Sequence, residues 1–256
     1  MRVLVTRPES EARHWVEDLR RRGFDAQAFP LIAIAPVLAA ADLVQAWRQL
    51  DRYCAVMFVS GNAVRHFFGR RADGASWPAR TRAWSPGTGT REALLAEGVA
   101  PDLIDAPPPH AAQFDSETLW RQVAGQVARG DSVLIVRGAD AQGTSSGRDW
   151  LADQLTAAGA QVEVLAAYLR QPPQLTQAQR AQARQCGAAG DCVWLFSSSQ
   201  AIAHLQALLP EQAWAQGRAV ATHPRIAQAA RSAGFGVVCE SRPSLDAVAG
   251  ALESFR

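Results

Sequence analysis

Lysine is missing from this chain: all 26 basic side chains are arginine. A Walker-type P-loop needs its lysine, and Schiff-base or pyridoxal chemistry needs a lysine amine, so both function classes are excluded by inventory. Cysteine is scarce too. Cys54, Cys186, Cys192 and Cys239 form no C-x-x-C pair, and the five histidines show no H-x-x-x-H spacing. The expectation is reduced, buried thiols and no bound metal. No apolar run approaches the roughly 18 residues of a membrane helix, and the opening MRVLVTRPESEA reaches charge and proline too soon for a signal peptide. A soluble cytoplasmic protein is expected, with no membrane partner. The formal net charge of +2 supplies no strongly basic face, which argues against a nucleic-acid partner.

What is present is apolar residue in bulk, 48% of 256 positions, enough for one large core or two modest ones. Apolar β-branched runs alternate with 3.6-periodic segments along the whole chain. Strands are expected at 3–6, 25–34, 55–59, 82–85, 103–105, 133–136, 162–168, 193–196, 219–221 and 236–239. Helices are expected between them, for example at 9–22, 116–129, 148–158 and 224–233. Such alternation implies parallel sheets covered by helices on both faces.

Two internal similarities divide the chain. "VLVTR", with its helix ending at Gly23 and a strand beyond, matches "VLIVR", with its helix ending at Gly159 and a strand beyond. "VMFVSGNAV" matches "WLFSSSQAI", each a buried strand that breaks at serine and restarts as a helix. The order of the two matches is reversed at the N-terminus, and joining 172–256 back onto 1–36 restores it. The expected fold is therefore α/β, with two similar doubly wound domains of about five strands each. One is discontinuous (1–36 plus 172–256) and one inserted (37–171). Pro36, Pro172 and Pro173 suit the two extended connectors between them.

In a doubly wound sheet, ligands collect beyond the carboxyl ends of the strands. The residues expected there are Thr6-Arg7, Ser60-Gly61-Asn62, Thr88-Gly89-Thr90, Arg137-Gly138, Ser145-Ser146-Gly147 with Arg148, Ser197-Ser198-Ser199, and Thr222. Taken singly, each such turn reads as helix capping, since Ser, Thr and Gly are good N-caps. Together they would aim several helix N-termini into one cleft between two lobes, a setting for an extended polyanion. The stretch VLIVRGADAQGTSSGRDWL has no G-x-G-x-x-G, and the next strand ends in Ala166-Ala167-Tyr168 with no acidic residue for a ribose. Carboxylates fit these donors better than a nucleotide does. No G-x-S-x-G elbow marks a serine hydrolase.

These residues together resemble the uroporphyrinogen-III synthase family over essentially the entire length. The resemblance is carried by "VLVTRP", the "FVSGNAV" and "FSSSQAI" pair, "PGTGTREAL", "VLIVRG" through "GRDWL", "AAYLRQPP" and "SRPSLDAVAGAL", in that order and spacing. It implies two α/β domains joined by a two-stranded linker. It also implies a cofactor-independent lyase that cyclises the linear tetrapyrrole hydroxymethylbilane, a carrier of eight carboxylates, with loss of water and inversion of ring D; a monomer is expected. Tyr168 matches the family's linker tyrosine, placed to hydrogen-bond the departing hydroxyl; a phenol, with an ordinary pKa of about 10, donates at neutral pH. Ser60 and Thr90 match substrate-facing positions of the inserted domain, and Ser198, Ser199 and Thr222 fall at the corresponding loops of the split one. Arg7, Arg137 and Arg148 are left between bidentate contacts to propionates and a structural role, as a helix-capping or domain-internal ion pair. The competing class is a non-catalytic two-lobed binding module for a small polycarboxylate.

Overall fold

In a computed structural model, residues 1–37, 41–108, 111, 114–140 and 150–255 are described. The chain divides into two units, Met1–Ile34 with Gln171–Arg256, and Ala35–Arg170. The first unit starts with β1 (Arg2–Val5), α1 (Glu9–Arg21) and β2 (Asp25–Ala28). Along α1, Ala12, Val16 and Leu19 recur at helical spacing and are its buried stripe. Next come β3 (Ala33–Pro36), which crosses the boundary, and the elements of the second unit. These are α2 (Ala41–Arg48), β4 (Ala55–Phe58), α3 (Gly61–Phe68), β5 (Arg82–Trp84), α4 (Thr88–Ala96), β6 (Ile104–Asp105), α5 (Ser116–Val123), β7 (Ser132–Ala139), α6 (Trp150–Ala157) and β8 (Gln161–Gln171). The chain then completes the first unit with α7 (Gln177–Ala189), β9 (Cys192–Phe196), α8 (Ser199–Leu208), β10 (Arg218–Ala221), α9 (Pro224–Ser232), β11 (Val237–Glu240) and α10 (Leu245–Glu253).

The first unit's sheet has the order β11-β10-β9-β1-β2, and its paired strands are parallel. Alternate residues of its strands face opposite ways. Leu4, Trp194, Phe196, Ala219 and Ala221 pack against residues of α7, α8 and α9, whereas Val3, Val5, Val193, Leu195 and Val220 pack against α1 and α10. The sheet is thus covered on both faces, which is why β1 and β9 read as unbroken apolar runs. The second sheet has the order β3-β8-β7-β4-β5-β6. On one face Met57, Trp84, Val133 and Ile135 meet Leu119, Val123, Leu151 and Leu155. On the other, Phe58 lies 5.5 Å from Phe67, which stacks on Trp47 at 5.1 Å.

Reading β8-β7-β4-β5-β6 beside β2-β1-β9-β10-β11 shows one strand order in both units, with β7 in the place of β1 and β4 in the place of β9. The two helices that close the repeated motif end alike. Gly23 (φ +82°) follows α1 and Gly159 (φ +88°) follows α6, both left-handed and so suited to glycine.

Four details differ from the sequence reading. The expected strand at 25–34 is two strands, because the chain leaves the ladder after Ala28 and binds back at its ends: Phe29 N–H donates to Val5 O and Leu31 N–H to Thr6 O. The strand expected to stop at Val136 runs to Ala139, so Arg137 and Gly138 are ladder residues and not loop. The helix expected over 116–129 stops at Val123 and tightens into a 3-10 turn at Ala124–Gln126, where Gly125 weakens it. Cys186 and Cys192 are not reduced thiols but a disulfide, with Cα atoms 5.2 Å apart. Gly190 (φ +64°) folds the chain back there, so the last turn of α7 meets the first residue of β9. Cys54 and Cys239 are free. Among the described residues, no helix is long and apolar enough to cross a membrane.

Candidate functional site

In the second unit the carboxyl ends of β4, β7 and β8 bring Ser60, Gly138 and Tyr168 together. β4 runs out at Phe58, Val59 is exposed, and Ser60 leaves the strand in extended conformation to cap α3, its Oγ accepting from Ala63 N–H at 3.2 Å. The capping role read from sequence is therefore real at this turn. It is not the whole role, because Ser60 Oγ also lies 3.0 Å from Tyr168 Oη. Tyr168 is only 4% exposed. Its ring stacks on the His66 imidazole, centroids 5.6 Å apart and planes 28° apart. Gly138 faces it across the β7–β8 ladder.

The neighbouring turns are placed less uniformly. Gly61 and Asn62 form the first turn of α3, but Asn62 is buried and its Oδ1 accepts from Arg65 Nη2 at 2.8 Å. Thr88 and Gly89 are exposed on the first turn of α4, whose N-cap, Gly87, offers no side-chain acceptor; Thr90 is buried one residue on. Arg137 is buried in β7. Ser145, Ser146, Gly147 and Arg148 lie outside the described residues.

In the first unit, the turns after β1 and β9 are adjacent because those strands pair. Thr6 is buried, its hydroxyl donating to Leu195 O at 2.8 Å. The Arg7 guanidinium lies 3.3 Å from Glu11 and over the Trp15 ring at 4.4 Å; burial pushes its pKa down and Glu11 opposes that. Of the two roles left open for Arg7, the ion pair inside its own unit is present. Ser198 caps α8 by accepting from Gln200 N–H at 3.2 Å, and Ser199 is exposed beside it. Arg7 Nε, Ser197 Oγ and Gln200 Oε1 are buried and meet no hydrogen-bond partner among the described residues. Buried polar atoms are normally satisfied, so three at the ends of two adjoining strands mark unmet bonding capacity at that turn. Thr222 is buried just before His223, whose Nδ1 caps α9 by accepting from Arg225 N–H at 3.1 Å.

His66 was not among the residues singled out from sequence, and nothing in its spacing marks it. Burial lowers its pKa below the ordinary 6.5, helped by the charges of Arg65 and Arg70. A depressed histidine favours the neutral form in the folded chain, so the unfolded chain takes up the proton first as pH falls. Stability should drop below about pH 6.5 and level off once the folded pKa is passed. Melting temperatures of the parent and His66→Gln between pH 7 and 5 check this: the parent should lose more. An equal loss in both would mean that His66 titrates as in the unfolded chain.

The comparisons agree with the resemblance. A family model described as uroporphyrinogen-III synthase HemD matches residues 13–250. The chain is 28% identical to a uroporphyrinogen-III synthase of Chlorobaculum parvum, over 78% of this chain and 76% of that one. It is 30% identical to one of Salmonella typhimurium, over 66% and 65% respectively. Among solved structures, uroporphyrinogen-III synthetase of Helicobacter pylori aligns over 100% of both chains with a TM-score of 0.58 at 16% identity, a likeness of fold. The two-domain α/β fold, its repeated strand order and a family match spanning nearly the whole sequence lead to one assignment: the chain belongs to the uroporphyrinogen-III synthase family.

Proposed function

We infer that the chain carries out the reaction for which its family is named, the cyclisation of hydroxymethylbilane to uroporphyrinogen III with loss of water and inversion of ring D. The carrying observation is the Tyr168–Ser60 hydroxyl pair at the carboxyl ends of β8 and β4. Ser60 Oγ already accepts from Ala63 N–H, so its own proton can go to Tyr168 Oη. The phenol then donates to the hydroxyl departing from ring A. Departure gives a cationic azafulvene, which the substituted α-carbon of ring D attacks to form a spiro intermediate; fragmentation and reclosure complete the inversion. Unguided bilane closes without inversion, so the chain's main task is to hold it folded for one line of attack.

Holding falls to donors at the strand ends of each unit. In the second unit these are the first-turn N–H groups of α4 at Thr88, Gly89 and Thr90, with Gly61 and Asn62 of α3 and the buried Arg137. In the first unit, Ser197, Ser198, Ser199, Thr6 and Thr222 surround the turns where bonding capacity is unmet. The Arg7 Nε–H and Ser197 hydroxyl suit a carboxylate, and Gln200 Oε1 suits a pyrrole N–H. The enzyme acts as a monomer in the cytoplasm.

Purified protein mixed with hydroxymethylbilane, followed by oxidation and separation of the isomers, tests the reading. Isomer III should dominate. Isomer I alone, at the unguided rate, would leave only a polycarboxylate-binding module.

A further inference from the structure

Tyr168 and Ser60 are not on neighbouring strands. β8 lies beside β7 and β7 beside β4, so the phenol must span an intervening strand. At about 4.8 Å per strand step, the backbones it connects are roughly 10 Å apart. A tyrosine bridges that distance only by lying flat over the strand between.

Two features of β7 and β8 allow it. The first is a slip in register. Arg137 pairs with Ala166, but the next pair is Gly138 with Tyr168, leaving Ala167 unpaired. In an unbroken ladder Tyr168 would face Ala139, and a change of one residue sends a side chain to the opposite face of the sheet. The second is the missing side chain at the crossing point. A Cβ on Gly138 would sit 2.5 Å from Tyr168 Cζ, 2.6 Å from Cε2 and 2.9 Å from Oη. No residue but glycine leaves the ring where it lies.

We propose that Gly138 is a positioning residue: bare at the β7–β8 bulge, it lets the Tyr168 phenol lie across β7 and meet Ser60, with the His66 ring stacked against it. The sequence reading took Gly138 as a substrate-contacting loop residue; here it acts through Tyr168. Its effect on turnover rests on the reading that Tyr168 assists hydroxyl departure.

The chain has only two tyrosines, Tyr53 and Tyr168, so tyrosine labelled with carbon-13 at Cζ gives two signals, assigned with Tyr168→Phe. In Gly138→Ala the Tyr168 signal should move and the Tyr53 signal should not. Turnover of hydroxymethylbilane should fall about tenfold or more in kcat with KM little changed, and Gly138→Ala combined with Tyr168→Phe should be no slower than Tyr168→Phe alone. An unmoved Tyr168 signal, or losses that multiply in the double variant, would overturn the proposal. If Tyr168→Phe keeps full turnover, it is the role of Tyr168 that fails, and the placement by Gly138 is judged by the spectrum alone. Should Gly138→Ala fold poorly, the same change is made in Tyr168→Ala, where the colliding ring is gone: there it should lower the melting temperature by far less than in the parent, and an equal drop in both would also overturn the proposal.

Discussion

Tyr168→Phe is expected to lower kcat by about ten- to a hundredfold, more than any other single substitution at the strand ends of either unit. The ring stays, so the stack on His66 and the fit over Gly138 stay with it. What goes is one oxygen, the partner of Ser60 at 3.0 Å and the donor assigned to the departing hydroxyl. The stability cost should be small, on the order of the 1 kcal/mol that a single hydrogen bond contributes, because Ser60 still accepts from Ala63. The loss should therefore appear in kcat with a nearly unchanged melting temperature. Because unguided bilane closes to isomer I, slower enzymatic turnover should also raise the share of that isomer. Steady-state kinetics with isomer analysis reads both effects. Full turnover in the variant would remove Tyr168 from the chemistry.

Trp194→Ala should be the most damaging core substitution of the first unit. Trp194 is fully buried at the centre of its sheet, stacked on Phe196 at 6.0 Å and edge-on to Phe29 at 5.4 Å and Trp214 at 5.6 Å. Truncating a large aromatic in such a setting costs about 3–5 kcal/mol, the lost transfer energy plus the cavity left behind. The melting temperature should fall by about ten degrees or more. Trp194→Phe should cost far less. It keeps most of the ring contact, and it removes an indole N–H that is buried and meets no acceptor among the described residues, a group whose burial is unfavourable in itself. Scanning calorimetry of the two variants distinguishes these contributions. Equal losses would show that the ring contact kept by phenylalanine counts for little here and that the indole N–H, which both variants remove, is stabilising.

Much of this molecule was legible in its residues. The central strands β1, β4, β7 and β9 are buried on both faces, and a strand buried on both faces must be written as an unbroken apolar run. Each polar turn stands where such a run ends, which is why Ser60 and Ser198 could be read as the caps they are. The break between β2 and β3 was not legible, because Phe29, Leu31 and Ile32 are as apolar as strand residues and are buried in the core all the same. The disulfide was missed for a different reason. Its C-x5-C spacing has no meaning until Gly190 turns the chain back on itself. His66 carried no signal because its partner is more than a hundred positions away.

From sequence alone come the α/β class, the split repeat and the order of the polar turns, since each is encoded in local periodicity and in similarity between segments. The tertiary structure decided which of those turns share their chemistry. Tyr168 meets Ser60 across 108 positions of chain because β8, β7 and β4 lie side by side, because the ladder slips by one residue after Arg137, and because Gly138 is bare. Strand neighbours and a single-residue slip choose the face on which a side chain stands without changing the apolar pattern that makes the strand. No reading of that pattern can recover them.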